Sequence, residues 1–237
     1  LTLPAGITSI GNLAFRGCHG LTSLTLPAGI TWIGDYAFEY CWGLTSLTLP
    51  AGITEIGEET FSGCSGLTSL TLPAGITSIG NLAFRGCHGL TSLTLPAGIT
   101  WIGDYAFEYC WGLTSLTLPA GITEIGEETF SGCSGLTSLT LPAGITWIRF
   151  GAFRYCSGLT SIYVYAEKVP EIGICVFEGV DAQKCTLYVP KGTRDDYGHR
   201  LLDSGKYFEN IVEFDATGID KTTTSTDVEE VARYSVN

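Results

Sequence analysis

Apolar residues recur along this chain at fixed places in a 23-residue frame. In LTLPAGITWIGDYAFEYCWGLTS, residues 24–46, they are Leu24, Leu26, Ile30, Ile33, Ala37, Phe38, Cys41 and Leu44. The alternation through LTSLTLP has the period of two that sends successive side chains to opposite faces of a strand, and Pro27 ends it. Gly29 permits a turn, and ITWIG supplies a second short extended piece that carries Ile30 and Ile33 inward. Ala37, Phe38 and Cys41, at helical spacings, predict a short helix or 3₁₀ turn, after which Gly43 lets the chain swing back. A single unit cannot bury this apolar face by itself, so units must stack about one strand spacing, ~4.8 Å, apart around a continuous core. The fold class expected is a repeat solenoid: a right-handed leucine-rich-repeat superhelix with one concave parallel strand, a short second strand and a short helical turn per unit.

Regular units start at residues 1, 24, 47, 70, 93, 116 and 139, and residues 162–184 form a degenerate eighth. Residues 70–138 repeat residues 1–69 without a single difference. Drift scatters substitutions over such a length, so identity favours an engineered array over a recent natural duplication. By strand spacing, seven units make a ladder roughly 30–35 Å long.

Units of the form LTSLTLPAGITxIGxxAFxxCxGLTS resemble the BspA-like leucine-rich repeats, the Treponema pallidum type found on surface proteins of Bacteroides, Tannerella and related bacteria. The resemblance covers residues 1–190. The chain lacks the Asn that usually follows LxxLxL and places its Cys elsewhere in the unit. The resemblance implies a curved solenoid and, for natural members, a cell-surface or extracellular location and adhesion to host proteins such as fibronectin and fibrinogen. It carries no ligand residue over to this sequence.

Beyond the solenoid at 1–184, residues 185–214 keep one strand signature at Leu187, Val189 and Pro190 and then bring in charge. They are expected to cap the core, with an amphipathic stretch over its open end and YFENIVEF as a closing strand. The polar, Thr-rich stretch at 215–237 reads as a tail or linker and resembles the segment before a sorting module in Bacteroidetes surface proteins, so the chain is expected to be truncated there. The missing initiator Met marks the N-terminus as a cut or processed end, silent about any signal. The first unit opens directly on a strand with nothing over Leu1, Leu3, Ile7 and Phe15, which predicts end-to-end pairing of two copies.

A net charge of −12, with 12 Lys and Arg scattered along the chain, argues against nucleic acid as a partner. No run of 18 apolar residues exists to span a membrane. Cys18, Cys41, Cys64, Cys87, Cys110, Cys133 and Cys156 recur at one apolar position without any CxxC, which predicts buried thiols and no metal site. Cys175 and Cys185 fall in the degenerate region, with a disulfide the minor alternative. His19 and His88 lie three units apart, roughly 14 Å, too far to share a proton or metal, and they read, like His199, as exposed polar residues. Asp35, Glu39, Glu55, Glu58 and Glu59, and their copies Asp104, Glu108, Glu124, Glu127 and Glu128, read as solvated faces rather than a calcium site. Arg16 beside Glu39 and Arg85 beside Glu108 set opposite charges across units, worth ~0–1 kcal/mol each when exposed. Outward Thr columns, one of them Thr25, Thr48, Thr71, Thr94, Thr117 and Thr140 and another including Thr22, Thr45 and Thr91, suit solvent-facing strands. No nucleophile–base pair or phosphate loop accompanies any of these residues, so neither catalysis nor a cofactor is expected.

Variation between units concentrates at six positions and gathers aromatic side chains there. The candidate ligand contacts are Trp32, Tyr36, Tyr40, Trp42, Trp101, Tyr105, Tyr109, Trp111 and Trp147. Exposed Trp and Tyr beside acidic groups suit contact with an extracellular-matrix protein or a glycan. The competing expectation is that these rings pack down and shield Phe38 and its equivalents.

Overall fold

The structure, a computed structural model, describes residues 1–198 and 208–215. It is a parallel β-solenoid. The LTSLTLP pieces form Ser46–Thr48, Ser69–Thr71, Ser115–Thr117, Ser138–Leu141, Ser161–Val164 and Thr186–Pro190, paired parallel and in register wherever they meet. The second pieces form two-residue strands such as Trp32–Ile33, Ser78–Ile79 and Trp101–Ile102. In residues 24–46 every expected core position is buried, from Leu24 to Leu44. At the fourteenth position Thr60 and Thr129 are equally buried, their hydroxyls donating to Gly57 O at 3.0 Å and Gly103 O at 3.2 Å.

Of the short helix or 3₁₀ turn expected for this segment, the structure has the turn: a chain of turns closed by i→i+3 bonds. Leu13, Tyr36, Glu59, Leu82, Tyr105 and Glu128 all hold positive φ at the thirteenth position, and so do Gly17, Tyr40, Gly63, Gly86, Tyr109 and Gly132 at the seventeenth. A left-handed conformation costs an L-residue ~1–2 kcal/mol, so something must offset it. Alternation of the backbone donors does so. Arg85 and Cys87 donate within the turn, to Leu82 O and Phe84 O, while Leu82, Phe84 and Gly86 donate outward to Asp104, Ala106 and Glu108 of the next coil at 2.8–2.9 Å. The same three links join every successive pair of coils from Leu13 to Tyr155, the last to Glu178. An α-helix would turn these N–H groups back on their own coil. The turn column is therefore a third ladder, and it has no break.

The strand ladders do break. The short strands fall into separate sheets between Trp32–Ile33 and Glu55–Ile56, and again one block later between Trp101–Ile102 and Glu124–Ile125. The long strands break around residues 92–95.

Inside the solenoid, Phe15, Phe38, Phe61, Phe84, Phe107, Phe130, Phe153 and Phe177 stack in one column, centroids 5.1–5.6 Å apart and planes within 10°. Phe208 meets Phe177 edge-on at 5.8 Å and ends the column. Beside it runs the thiol column. Cys41, Cys64, Cys87, Cys110, Cys133 and Cys156 each donate to the carbonyl of a Phe one coil back, at 3.0–3.2 Å. Burial pushes these thiols up, Cys41 to about 11 and Cys87 and Cys133 to about 12, so they stay protonated and unreactive. Cys18 departs from the buried set: it is exposed, on the first coil. Cys185 is a buried free thiol.

At the last coils Asn210–Phe214 pairs parallel to Thr186–Pro190 as the outermost strand, and Tyr197 of the short helix Arg194–Gly198 donates to Ala166 O at 2.6 Å. The rest of the amphipathic stretch, with His199, and the tail from residue 216 lie outside the described residues. At the first coil Leu1 is exposed and Leu3, Ile7 and Phe15 are only partly covered, whereas Leu72, Ile76 and Phe84 one block on are buried.

One expectation about the polar columns changes, and a second, still exposed column does more than face solvent. Thr140 is buried rather than solvent-facing, in register beside the buried Tyr163. Hydroxyls of Thr45, Thr68, Thr114, Thr137 and Thr160 bond to the preceding coil's Thr carbonyl at 3.0–3.4 Å, so that column is spent on coil stacking.

Candidate ligand surface of exposed aromatic rings

The aromatic residues divide by the element that carries them. Trp32, Trp101 and Trp147 lie on the short strands, where the inward alternate position belongs to Ile33, Ile102 and Ile148 and the indole must point out. Their in-register neighbours are Ser9 beside Trp32, Ser78 beside Trp101, and Glu124 and Glu171 on either side of Trp147. Arg149 lies over the Trp147 ring at 3.9 Å and donates to Glu124 at 3.1 Å, so this third indole is partly covered by a cation.

The remaining rings sit on the turn column. Tyr36 is half-buried and its hydroxyl donates to Glu58 at 2.9 Å; that bond to a carboxylate holds the phenol above its ordinary range. Tyr105, its copy, is pushed up first by burial and then by Glu128 and Glu127. Tyr40 and Tyr109 lie against Gly63 and Gly132 of the next coil, where a Cβ would come within 2.5 Å of the ring. The glycine makes the seat for the tyrosine.

Trp42 and Trp111 stack face to face on His19 and His88, at 3.7 and 3.6 Å, with planes 12° and 8° apart. Each His Nδ1 donates to a neighbouring carbonyl, Tyr40 O at 3.0 Å and Tyr109 O at 2.8 Å. The two histidines, taken from the sequence as plain exposed residues, are thus the shelves on which two of the indoles rest, and His88 is half-buried. The nineteenth position carries the clue, since His precedes Trp there in both blocks.

All five Trp remain substantially open, from 36% for Trp147 to 52% for Trp42 and Trp111. Phe38 itself stacks between Phe15 and Phe61. The rings therefore form two families, one on the short strands and one on the turns.

The acidic groups are less solvated than expected. Glu39 and Glu108 are 2% and 5% exposed, because Arg16 and Arg85 of the preceding coil bridge to them, the second pair at 2.7 Å. With the carboxylate buried, removing the arginine would strand a charge, so these pairs exceed an ordinary surface bridge. Burial first, and then Glu39, raises the Glu59 carboxyl. Asp35 accepts the Glu58 N–H at 2.9 Å, and Asn12 accepts that of Asp35 at 3.0 Å, so these side chains clip coil to coil. Among the described residues no three His, Cys, Asp or Glu side chains converge as metal ligands, and no helix is long and apolar enough to cross a membrane.

Stacked 23-residue coils with paired parallel strands and buried Leu, Phe and Cys columns define a leucine-rich-repeat solenoid. Within that class the chain belongs to the BspA type leucine-rich repeat family, whose model matches six copies over residues 1–110 and 55–186. A leucine-rich repeat protein of Bacteroides ovatus superposes with a TM-score of 0.70 at 29% identity; the match covers 93% of this chain and 62% of that one. The chain thus spans less than two thirds of that relative. The Treponema pallidum leucine-rich repeat protein gives 0.64 at 32% identity, over 67% of this chain and 77% of its own. The pneumococcal vaccine antigen PcpA, at 18% identity and a TM-score of 0.58 over 90% of this chain and 67% of that one, shares the fold. Comparison with the curated proteins gives no match.

Proposed function

We propose that this chain is a non-enzymatic recognition scaffold whose outward aromatic rows bind an extracellular-matrix protein or a glycan. The observation that carries this is the exposure of five indoles on the stacked coils, two of them stacked on histidines whose Nδ1 bonds to a backbone carbonyl. Open Trp and Tyr held in place lose little freedom on binding and offer large amphipathic contact area, which is the physics of interface hot spots. The outward groups that repeat are indoles, phenols, hydroxyls and carboxylates committed to neighbouring coils, without a convergent acid, base and nucleophile. Membership of the BspA type family supports a cell-surface or extracellular parent.

Identity of residues 70–138 with 1–69 favours a second reading, in which an engineered array copied one block for stability and shape and has no cognate ligand. A second copy meeting the partly open first coil end to end is a further proposed partner.

Biolayer interferometry of the immobilised chain against fibronectin, fibrinogen and a glycan panel separates the two readings. Saturable binding is expected with one of them, weakened at least tenfold in Trp32→Ala/Trp101→Ala or in Trp42→Ala/Trp111→Ala. Absence of binding to all of them leaves the ligand-free scaffold.

A further inference from the structure

The outer face of the long-strand sheet changes character along the stack. In the outward row of the early coils stand Thr25, Thr48, Thr71, Thr94 and Thr117, and all of them are exposed. The row continues as Thr140, Tyr163, Tyr188 and Val212, which lie side by side in register across four strands. Their strand neighbours Leu139, Ile162 and Leu187 belong to the inner core, so alternation sends this row outward too. Yet Thr140 is only 6% exposed and Tyr163 4%.

Tyr163 and Tyr188 stack at 4.4 Å, and with Tyr165 they form a cluster separate from the core inside the coils. Phe214, which is also buried, meets Tyr165 edge-on at 5.2 Å and extends the patch to the outermost strand. Side chains stand roughly perpendicular to a sheet, so neighbours within one sheet leave the far end of a standing ring open. Burial as complete as that of Tyr163 requires a further layer. The hydroxyls point the same way: those of Ser138, Thr140 and Tyr165 are enclosed without a hydrogen-bond partner, whereas water would reach them on an open face.

We propose that residues 216–237 of this chain fold back across the outer face of the last four strands and form that layer. The chain leaves the sheet at Phe214, inside the patch itself. The connection between the short helix and the last strand has both its ends, Tyr197 and Phe208, in the inner core on the opposite face, so it does not start toward this one. Four strands are ~14 Å across, which about five extended residues span, and residues 216–237 are several times longer. Their chemistry suits the uncharged patch. The run from Thr222 to Thr226 brings hydroxyl and backbone groups for the enclosed hydroxyls, and Val228, Val231 and Tyr234 bring apolar surface for the tyrosine row. The site is separate from the exposed Trp rows and does not depend on their role.

Hydroxyl-radical footprinting of the full chain reads this cover side chain by side chain. Tyr163 is expected to react at least fivefold more slowly than the exposed Tyr40 and Tyr109. Val228→Asp/Val231→Asp should raise its rate at least threefold while Tyr197, buried in the inner core, stays slow. On irradiation, p-benzoylphenylalanine in place of Tyr188 should cross-link to peptides from residues 222–237 of the same chain. A Tyr163 as reactive as Tyr40 would overturn the proposal, and so would a cross-link that joins two chains. An unchanged Tyr163 in the double variant, together with no cross-link to residues 222–237, would overturn it as well. The cross-link keeps the test decisive where the two aspartates open the core.

Discussion

Phe84→Ala is expected to lower the free energy of unfolding by about 3–5 kcal/mol, the usual cost of deleting a buried aromatic ring. Phe84 has no exposed surface and stacks between Phe61 at 5.4 Å and Phe107 at 5.1 Å. Alanine would leave a void that neither neighbour can fill, because the turn ladder fixes coil spacing on both sides through Phe61 to Ala83 O and Phe84 to Ala106 O. Two ring contacts, each worth about 0.5–1.5 kcal/mol beyond area burial, disappear with it. Phe15→Ala should cost clearly less, since Phe15 is only partly buried and has one stacking partner. Urea denaturation followed by circular dichroism measures both, and equal losses at the two positions would refute a continuous Phe column as the core's axis.

Gly112→Ala should cost about 1–3 kcal/mol, the range of overpacking a closed core. A Cβ there would sit 2.4 Å from His88 O and 2.9 Å from Leu90 O, both backbone atoms of the preceding coil. Neither can yield without parting the coils. At Gly75 the nearest atoms would be 3.7 Å away, so Gly75→Ala should be neutral or stabilising by ~0.4–1 kcal/mol through the unfolded chain. Thermal unfolding of the two variants side by side checks the contrast, and a Gly112→Ala protein as stable as Gly75→Ala would remove close coil approach as the reason for this glycine.

That glycine shows where the sequence was legible and where it was not. Leu24, Leu26, Ile30, Ile33, Phe38, Cys41 and Leu44 announced themselves, because burial imposes an apolar side chain on every unit at the same place. Gly43 announced a bend, yet its role is close approach: a Cβ would stand 2.3 Å from His19 O. The turn ladder left only a partial mark, in Gly17, Gly63, Gly86 and Gly132, which suit their positive φ. Its left-handed residues include Leu13, Tyr36 and Glu59, none of which favours positive φ, so intercoil hydrogen bonding overrode local preference. The helical spacing of Ala37, Phe38 and Cys41 arises from a turn that repeats inward-facing positions without being a helix.

The candidate surface was read as a set of rings and resolves into two families, because sequence position does not show which element faces where. The indoles of Trp32 and Trp101 follow from strand alternation, and that part was readable. The seat of Tyr40 on Gly63 and the shelf of His19 under Trp42 depend on contacts between adjacent coils. Such contacts appear in the sequence only as columns compared across units, such as His19 above Trp42. Burial of Glu39 depends in the same way on Arg16 one coil back.

Everything placed on the outside of this solenoid rests on the turn column as its unbroken spine, and site-resolved amide hydrogen exchange tests that most directly. The amides of Phe38, Phe61, Phe84, Phe107 and Phe130 are expected to be the slowest to exchange, with Ser92–Leu95 among the fastest of the described strands. Slowest exchange in the long strands, with the turn amides open, would contradict the account.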